Sequence, residues 1–194
     1  MAINTFHGGH DQQPELDKLK QLALYVASRS EDDPKFGRVK FNKLLFYADF
    51  IHYVKTGRSI TGFAYIKMEF GPCPEGFNAI EAEMDRANEL KLKQSMYEGF
   101  AQRRPVALVM PDLSKFSGEE IATVEEAITN MWKLNGCEAS DLSHLFVGWR
   151  LAQEFEKIPY SVARLGFENG VSSYHYDLAQ QVTNRVVARL EGAH

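Results

Sequence analysis

Only two cysteines, Cys73 and Cys137, occur in the 194 residues, and they form no C-x-x-C pair. That excludes a disulfide framework and the usual zinc spacings, and two reduced thiols in a cytoplasmic protein are expected. No run of about 18 apolar residues is present, so no transmembrane helix is expected. The opening residues, M-A-I-N-T-F-H-G-G-H, lack the basic and apolar regions of a signal peptide. Basic excess is missing too: the net charge is −4 and the pI about 5.9, which argues against a nucleic-acid-binding face. There is no internal repeat and no low-complexity tract. The standard catalytic signatures are absent as well: no G-x-x-x-x-G-K-[ST] phosphate loop, no G-x-G-x-x-G, no H-E-x-x-H and no G-x-S-x-G. Catalytic residues can still assemble from distant positions, so these absences remove evidence for an enzyme without excluding one.

What the chain does have is apolar and aromatic content, 44% and 12%, enough for one domain with a substantial core. The richest stretch is 39–57, V-K-F-N-K-L-L-F-Y-A-D-F-I-H-Y-V-K-T-G. At 100° per residue its apolar side chains point in nearly every direction, the pattern of a helix buried at the centre of a domain. One polar stripe, Asn42, Asp49, His52 and Thr56, interrupts it within about 80° of the helical wheel. Lys40, Lys43 and Lys55 lie on other sides, near the ends, where their stems can carry the charge outward. Gly57 supplies a stop.

Around this helix the rest reads as cover. Residues 1–12 are expected to be a flexible tail and 13–191 a single domain. Pro14 and Glu15 open a first helix with Leu16, Leu19, Leu22, Ala23 and Val26 at helical spacing, ending in the polar loop 28–34. Phe63 to Met68 is extended, and Gly71-Pro72 stops it. Phe77, Ile80, Met84 and Ala87 space a third helix. Leu90–Tyr97 and Pro105–Met110 read as a hairpin about Gly99, with Pro105 at a strand start or edge. Together with Phe63–Met68 they would make one small three-stranded sheet. Ser117-x-x-Glu120 is a capping box opening a helix that Gly136 would end. One or two short helices follow in 141–156, and a last helix spans about 173–190. The expected fold is mainly α (α+β): a helical domain around a buried central helix with a small antiparallel sheet of two to three strands.

Few residues invite chemistry. Asp49 and His52 are three apart on one helix and could act as a base and its orienter, or as metal ligands with His144 as a third. The plainer reading is a buried polar pair bonded to a neighbouring loop, because a buried carboxylate must find partners. Cys73, between two prolines, reads as a packed thiol before a reactive one. Trp149, five residues beyond His144, is either a recognition anchor or part of the core. Gly71-Pro72 either seats the third helix or presents the loop from Phe70 to Phe77 to a partner. Arg103-Arg104 reads as a solvated turn.

Taken in order, K-L-L-F-Y-A-D-F-I-H-Y (43–53), T-G-R-S-I-T-G (56–62), F-G-P (70–72) and S-H-x-x-x-x-W (143–149) resemble the signature of the Panacea domain family, the SocA-like antitoxins. The one departure is Cys73, where the family usually has Val. The resemblance implies an antitoxin that neutralises a cognate toxin encoded nearby by direct protein contact, one known mode being delivery of the toxin to an ATP-dependent protease. It implies no cofactor and no catalytic residue. Toxin-binding candidates are Phe70, Pro72, Phe77, Arg103 and Arg104, with the ends of the central helix. Asn42, Asp49 and His52 are expected to be structural. Two alternatives stay open: a nucleic-acid-binding autoregulator, and a metal-dependent hydrolase using Asp49, His52 and His144.

Overall fold

In the computed structural model, which describes residues 15–166, helix α2 (Arg38–Thr56) runs through the middle of the molecule. Every residue from Lys40 to His52 is buried, as an apolar pattern without a clear outward face requires. Gly57 closes the helix in the left-handed conformation, φ 80°, its amide donating to the Tyr53 carbonyl. Around α2 pack α1 (Leu16–Arg29), α4 (Gly118–Met131), α5 (Gly136–His144) and α7 (Ala163–Gly166). α3 (Phe77–Arg86) and α6 (Val147–Leu151) are the other α-helices among the described residues, and the fold is mainly α with small antiparallel sheets.

The aromatic side chains of α2 build the centre. Phe46 and Phe50 lie tilted against each other at 4.3 Å and meet Tyr65 and Phe146 edge-on, with ring centroids 5.3–5.6 Å apart. Edge-to-face packing of this kind adds about 0.5–1.5 kcal/mol per pair beyond burial. Leu19, Leu22, Ala23 and Val26 of α1 are fully buried against it.

The strands form two sheets and not one. β1 (Tyr65–Ile66) lies between β2 (Cys73–Pro74) and β5 (Lys157–Ile158), antiparallel to both. β3 (Leu90–Tyr97) and β4 (Phe100–Ala107) pair separately as a hairpin. The segment that completes the β1 sheet thus comes from 157–158, whose two residues carry no strand pattern that sequence could show. The hairpin turns on Glu98 and Gly99, φ 49° and 83°, the paired positive values of a type I′ turn. Pro105 stands inside β4, opposite Leu92, and does not start it. The Leu108 amide donates to the Glu89 carbonyl at 2.7 Å, so by alternation the Leu92–Pro105 pair is a non-hydrogen-bonded one. The missing proline N–H therefore faces outward and breaks no ladder bond.

Other boundaries also shift. Glu15 precedes α1 as its N-cap, and its amide donates to the Thr61 carbonyl. The Ser117–Glu120 capping box forms as expected, but Gly136 begins α5 and does not end α4. Asn135 and Glu138 make a second reciprocal box there, and N-G-C-E was a legible signal for it. Arg103 and Arg104 lie in β4, away from the turn. The expected tail 1–12 and last helix 173–190 lie outside the described residues.

Candidate functional site

Lys40 and Lys43 do not reach outward. Lys40 is 1% exposed; its ammonium sits 2.5 Å from Asp33 and donates to the Trp132 and Leu134 carbonyls at 3.1 and 2.7 Å. It ties the loop after α1 to the end of α4. Lys43, 2% exposed, donates to the Pro72 carbonyl at 3.2 Å and has no carboxylate beside it among the described ion pairs. Burial holds its ammonium down to about 8. Of the three lysines of α2, Lys55 is the one at the surface, paired with Glu126.

Lys43 marks the place where the distant motifs meet. Gly71, φ 96°, lies against it and against Ser143. A Cβ on Gly71 would come within 2.1 Å of Ser143 Oγ and 2.5 Å of Lys43 Cε, so any other residue here must displace one of them as well as hold a left-handed backbone. The Ser140 hydroxyl donates to the Phe70 carbonyl at 2.8 Å, and the Trp149 indole N–H to the Met68 carbonyl at 3.2 Å. His144 stacks on Trp149 at 3.8 Å, and the Lys67 ammonium lies 4.3 Å above the same indole. Lys67, Trp149 and His144 thereby form a layered stack beside the 68–72 bend. Burial and the neighbouring Lys43 and Lys67 push the His144 imidazole below its ordinary range, so it stacks neutral.

The second centre is Asp49, fully buried. Its carboxyl accepts from the Thr61 amide at 2.8 Å and the Thr61 hydroxyl at 2.6 Å, and lies 2.8 Å from the Tyr65 hydroxyl. Tyr65 OH is also 2.9 Å from the Leu45 carbonyl. One phenol proton cannot serve both acceptors at full strength. The Tyr65 hydroxyl is therefore shared between the Asp49 carboxyl and the Leu45 carbonyl. Burial, the dominant influence, raises the Asp49 carboxyl, against the bonds from Thr61 and Tyr65 that lower it. Asp49 therefore pins the T-G-R-S-I-T-G loop onto α2, helped by the Gly62 amide on Ser59 Oγ at 3.0 Å.

The polar stripe does not share one site. His52 turns to α4, its Nδ1 3.3 Å from the Thr123 hydroxyl, and burial lowers its imidazole. Asn42 is buried, with its carbonyl oxygen unpartnered. His144 belongs to the Trp149 stack. Asp49, His52 and His144 thus take separate partners, and among the described residues no group of three or more His, Cys, Asp or Glu side chains is placed to hold a metal ion. The Cys73 thiol is raised to about 11 by burial, which keeps it in the un-ionised, unreactive form.

Of the five interface candidates, Phe70 is 60% exposed and Arg103 is exposed, whereas Pro72 and Phe77 are buried. Arg104 places its guanidinium among the carbonyls of Ser30, Glu31, Asp33 and Phe36, clamping β4 to the loop after α1. Arg103 borders a cleft of about 400 Å³ between α3 and the hairpin, lined by Arg38, Glu81, Asp85, Leu90 and Leu92. Within it Arg38 grips Glu81 through Nε at 2.8 Å and Nη2 at 2.5 Å.

Sequence reasoning missed Lys43, Gly71, Ser140 and Lys67 as one assembly. Lys43, Gly71 and Ser143 stand in separate motifs, and no spacing rule brings residues 43, 71 and 143 together; only packing does.

A central helix buried from Lys40 to His52, a loop knotted to it by Asp49, and a glycine bend locked between two further motifs define a protein whose motifs meet in a scaffold. The match to a family model agrees: residues 41–150 fit the antitoxin SocA-like, Panacea domain. The chain belongs to this family of toxin–antitoxin antitoxins. No curated protein and no solved structure matches it. No described helix is long and apolar enough to cross a membrane.

Proposed function

We propose that this protein is a cytoplasmic antitoxin that neutralises a cognate toxin encoded beside it, by direct contact through a folded surface. The family match over residues 41–150 carries the reading. The convergence of the family motifs on buried structural contacts supports it, because such residues hold a scaffold and leave partner choice to the exposed ones. Phe70 and Arg103 are the exposed candidates among those named from sequence. Specific recognition of this type buries about 800 Å² on each partner around a few aromatic or Arg anchors. Delivery of the toxin to an ATP-dependent protease is a finer form of the same function.

Co-expression with the adjacent open reading frame tests it. The neighbouring gene alone should arrest growth, and this protein should restore growth and co-purify with its product. A harmless neighbour, or no rescue, overturns the proposal. The toxin's half-life, with and without this protein, separates occlusion from delivery to a protease.

A further inference from the structure

Among the described residues no strand pairs with the outer edge of β3 in the β3–β4 hairpin. Alternation from the Glu89–Leu108 pair turns the backbone groups of Lys91, Lys93, Ser95 and Tyr97 toward β4. Those of Leu92, Gln94 and Met96 therefore point away from it. β2, β1 and β5 form the other sheet, so β3 has β4 as its one strand partner among the described residues. The β4 edge is guarded differently: Pro105 offers no amide there, while Arg104 and Gln102 tie β4 to the 30–36 loop. An unpaired strand edge is a template for another chain.

Charge decides which chain. Between Glu89 and Leu108, four cations (Lys91, Lys93, Arg103, Arg104) stand against two anions (Glu89, Glu98), in a protein of net charge −4. Lys91 and Lys93 share one face of β3 and have no carboxylate partner among the described ion pairs. The opposite face offers Leu92 and Met96, the latter 66% exposed, and Phe100 at the tip is 77% exposed. A second copy of β3 added antiparallel would bring two lysine rows together, and like charges opposed across strands are destabilising. We infer that the β3 edge receives an extended acidic segment of the toxin as a third strand. Asp or Glu at alternate positions would face Lys91 and Lys93, and apolar residues between them would cover Leu92 and Met96.

This inference rests on the toxin-binding reading, and the test separates the two. Amide exchange is measured on the full-length protein alone and with the product of the adjacent open reading frame. The amides of Leu92, Gln94 and Met96 should slow by about tenfold or more in the complex, as newly paired edge groups do. Gln94→Pro removes an outward amide and leaves the hairpin ladder intact; it should weaken binding by about tenfold or more, as should Lys91→Glu with Lys93→Glu, while Gln94→Ala stays within about twofold. Circular dichroism and Tm establish that each variant is folded, and exchange on the unmutated protein needs no variant. Binding without slowed exchange at these three amides overturns the edge and leaves the antitoxin reading standing. Slowing that rises with protein concentration in the absence of toxin makes the edge a self-pairing surface and also overturns the inference. A wild type that neither binds nor rescues overturns both.

Discussion

Gly71 lies so close to Ser143 that a Cβ at Gly71 would stand 2.1 Å from the serine hydroxyl oxygen. Two short motifs, 72 positions apart in the chain, are thus held in direct contact, with Lys43 of α2 as the third party.

Gly71→Ala combines a left-handed backbone, φ 96°, with a clash, and should lower stability by about 2–5 kcal/mol. Gly76→Ala is the control: φ there is 70°, but nothing lies within 4 Å of the added methyl. It should lose only the backbone share, about 1–2 kcal/mol. Urea unfolding of both variants checks this, and equal losses would show that the contact with Ser143 is not what constrains Gly71.

Asp49 offers a test of its proton. Its carboxyl is raised by burial, so between the ordinary carboxylate range, about 3.9, and its folded value the native state holds more protons than the unfolded chain. Stability from this group is full below that window and falls as pH rises through it. Asp49→Asn keeps an acceptor for the Thr61 amide and a donor for Tyr65. It should change stability by less than about 1 kcal/mol at pH 4 and gain on the wild type as pH rises toward neutral. Asp49→Leu strands the Thr61 N–H and hydroxyl, and should cost about 1–3 kcal/mol for each group left unpaired. A wild type whose advantage over the Asn variant grows with pH would show that Asp49 is held ionised.

Lys43 has the opposite sign. Its folded value of about 8 lies below the unfolded value, about 10.4, so between them the unfolded chain binds more protons. The penalty of burying the ammonium is complete below pH 8 and is relieved as pH rises toward 10.4, so stability from this group increases across that window. Lys43→Met should therefore be neutral or stabilising at pH 7, and its pH profile between 8 and 10 should lack the wild type's upward component. Thermal unfolding at closely spaced pH values reads both. A methionine variant that is strongly destabilised at pH 7 would contradict the account.

Lys40 and Asp33 form the buried ion pair, 2.5 Å apart and almost wholly enclosed. Asp33→Ala leaves a buried ammonium with only the Trp132 and Leu134 carbonyls. The loss should be about 3–5 kcal/mol. Lys40→Met in the same background should recover part of it, because no charge is then left buried. The double-mutant cycle gives the coupling, and additive losses would mean that the two groups do not depend on each other.

Much of the architecture was written in local patterns. Apolar residues on nearly every side of 39–57 required a buried helix, and Gly57 and the Ser117–Glu120 box set boundaries because a left-handed stop and a reciprocal cap are properties of neighbouring residues. Asn135-x-x-Glu138 belongs to the same class. Boundary errors came where a residue had two local meanings: Gly136 both follows a helix and begins one, and Pro105 both opens strands and tolerates an outward edge.

Pattern along the chain was enough for a helical domain wrapped on residues 39–57, for the separate motifs and for their family. Tertiary structure alone decided that Lys40 and Lys43 point inward, that Lys157–Ile158 joins β1, and that Asp49, His52 and His144 part company. Local pattern records which side chains avoid water. It does not record which of several distant carbonyls, hydroxyls or glycine faces will be standing there when the chain closes, and that is settled only by the packing of the whole.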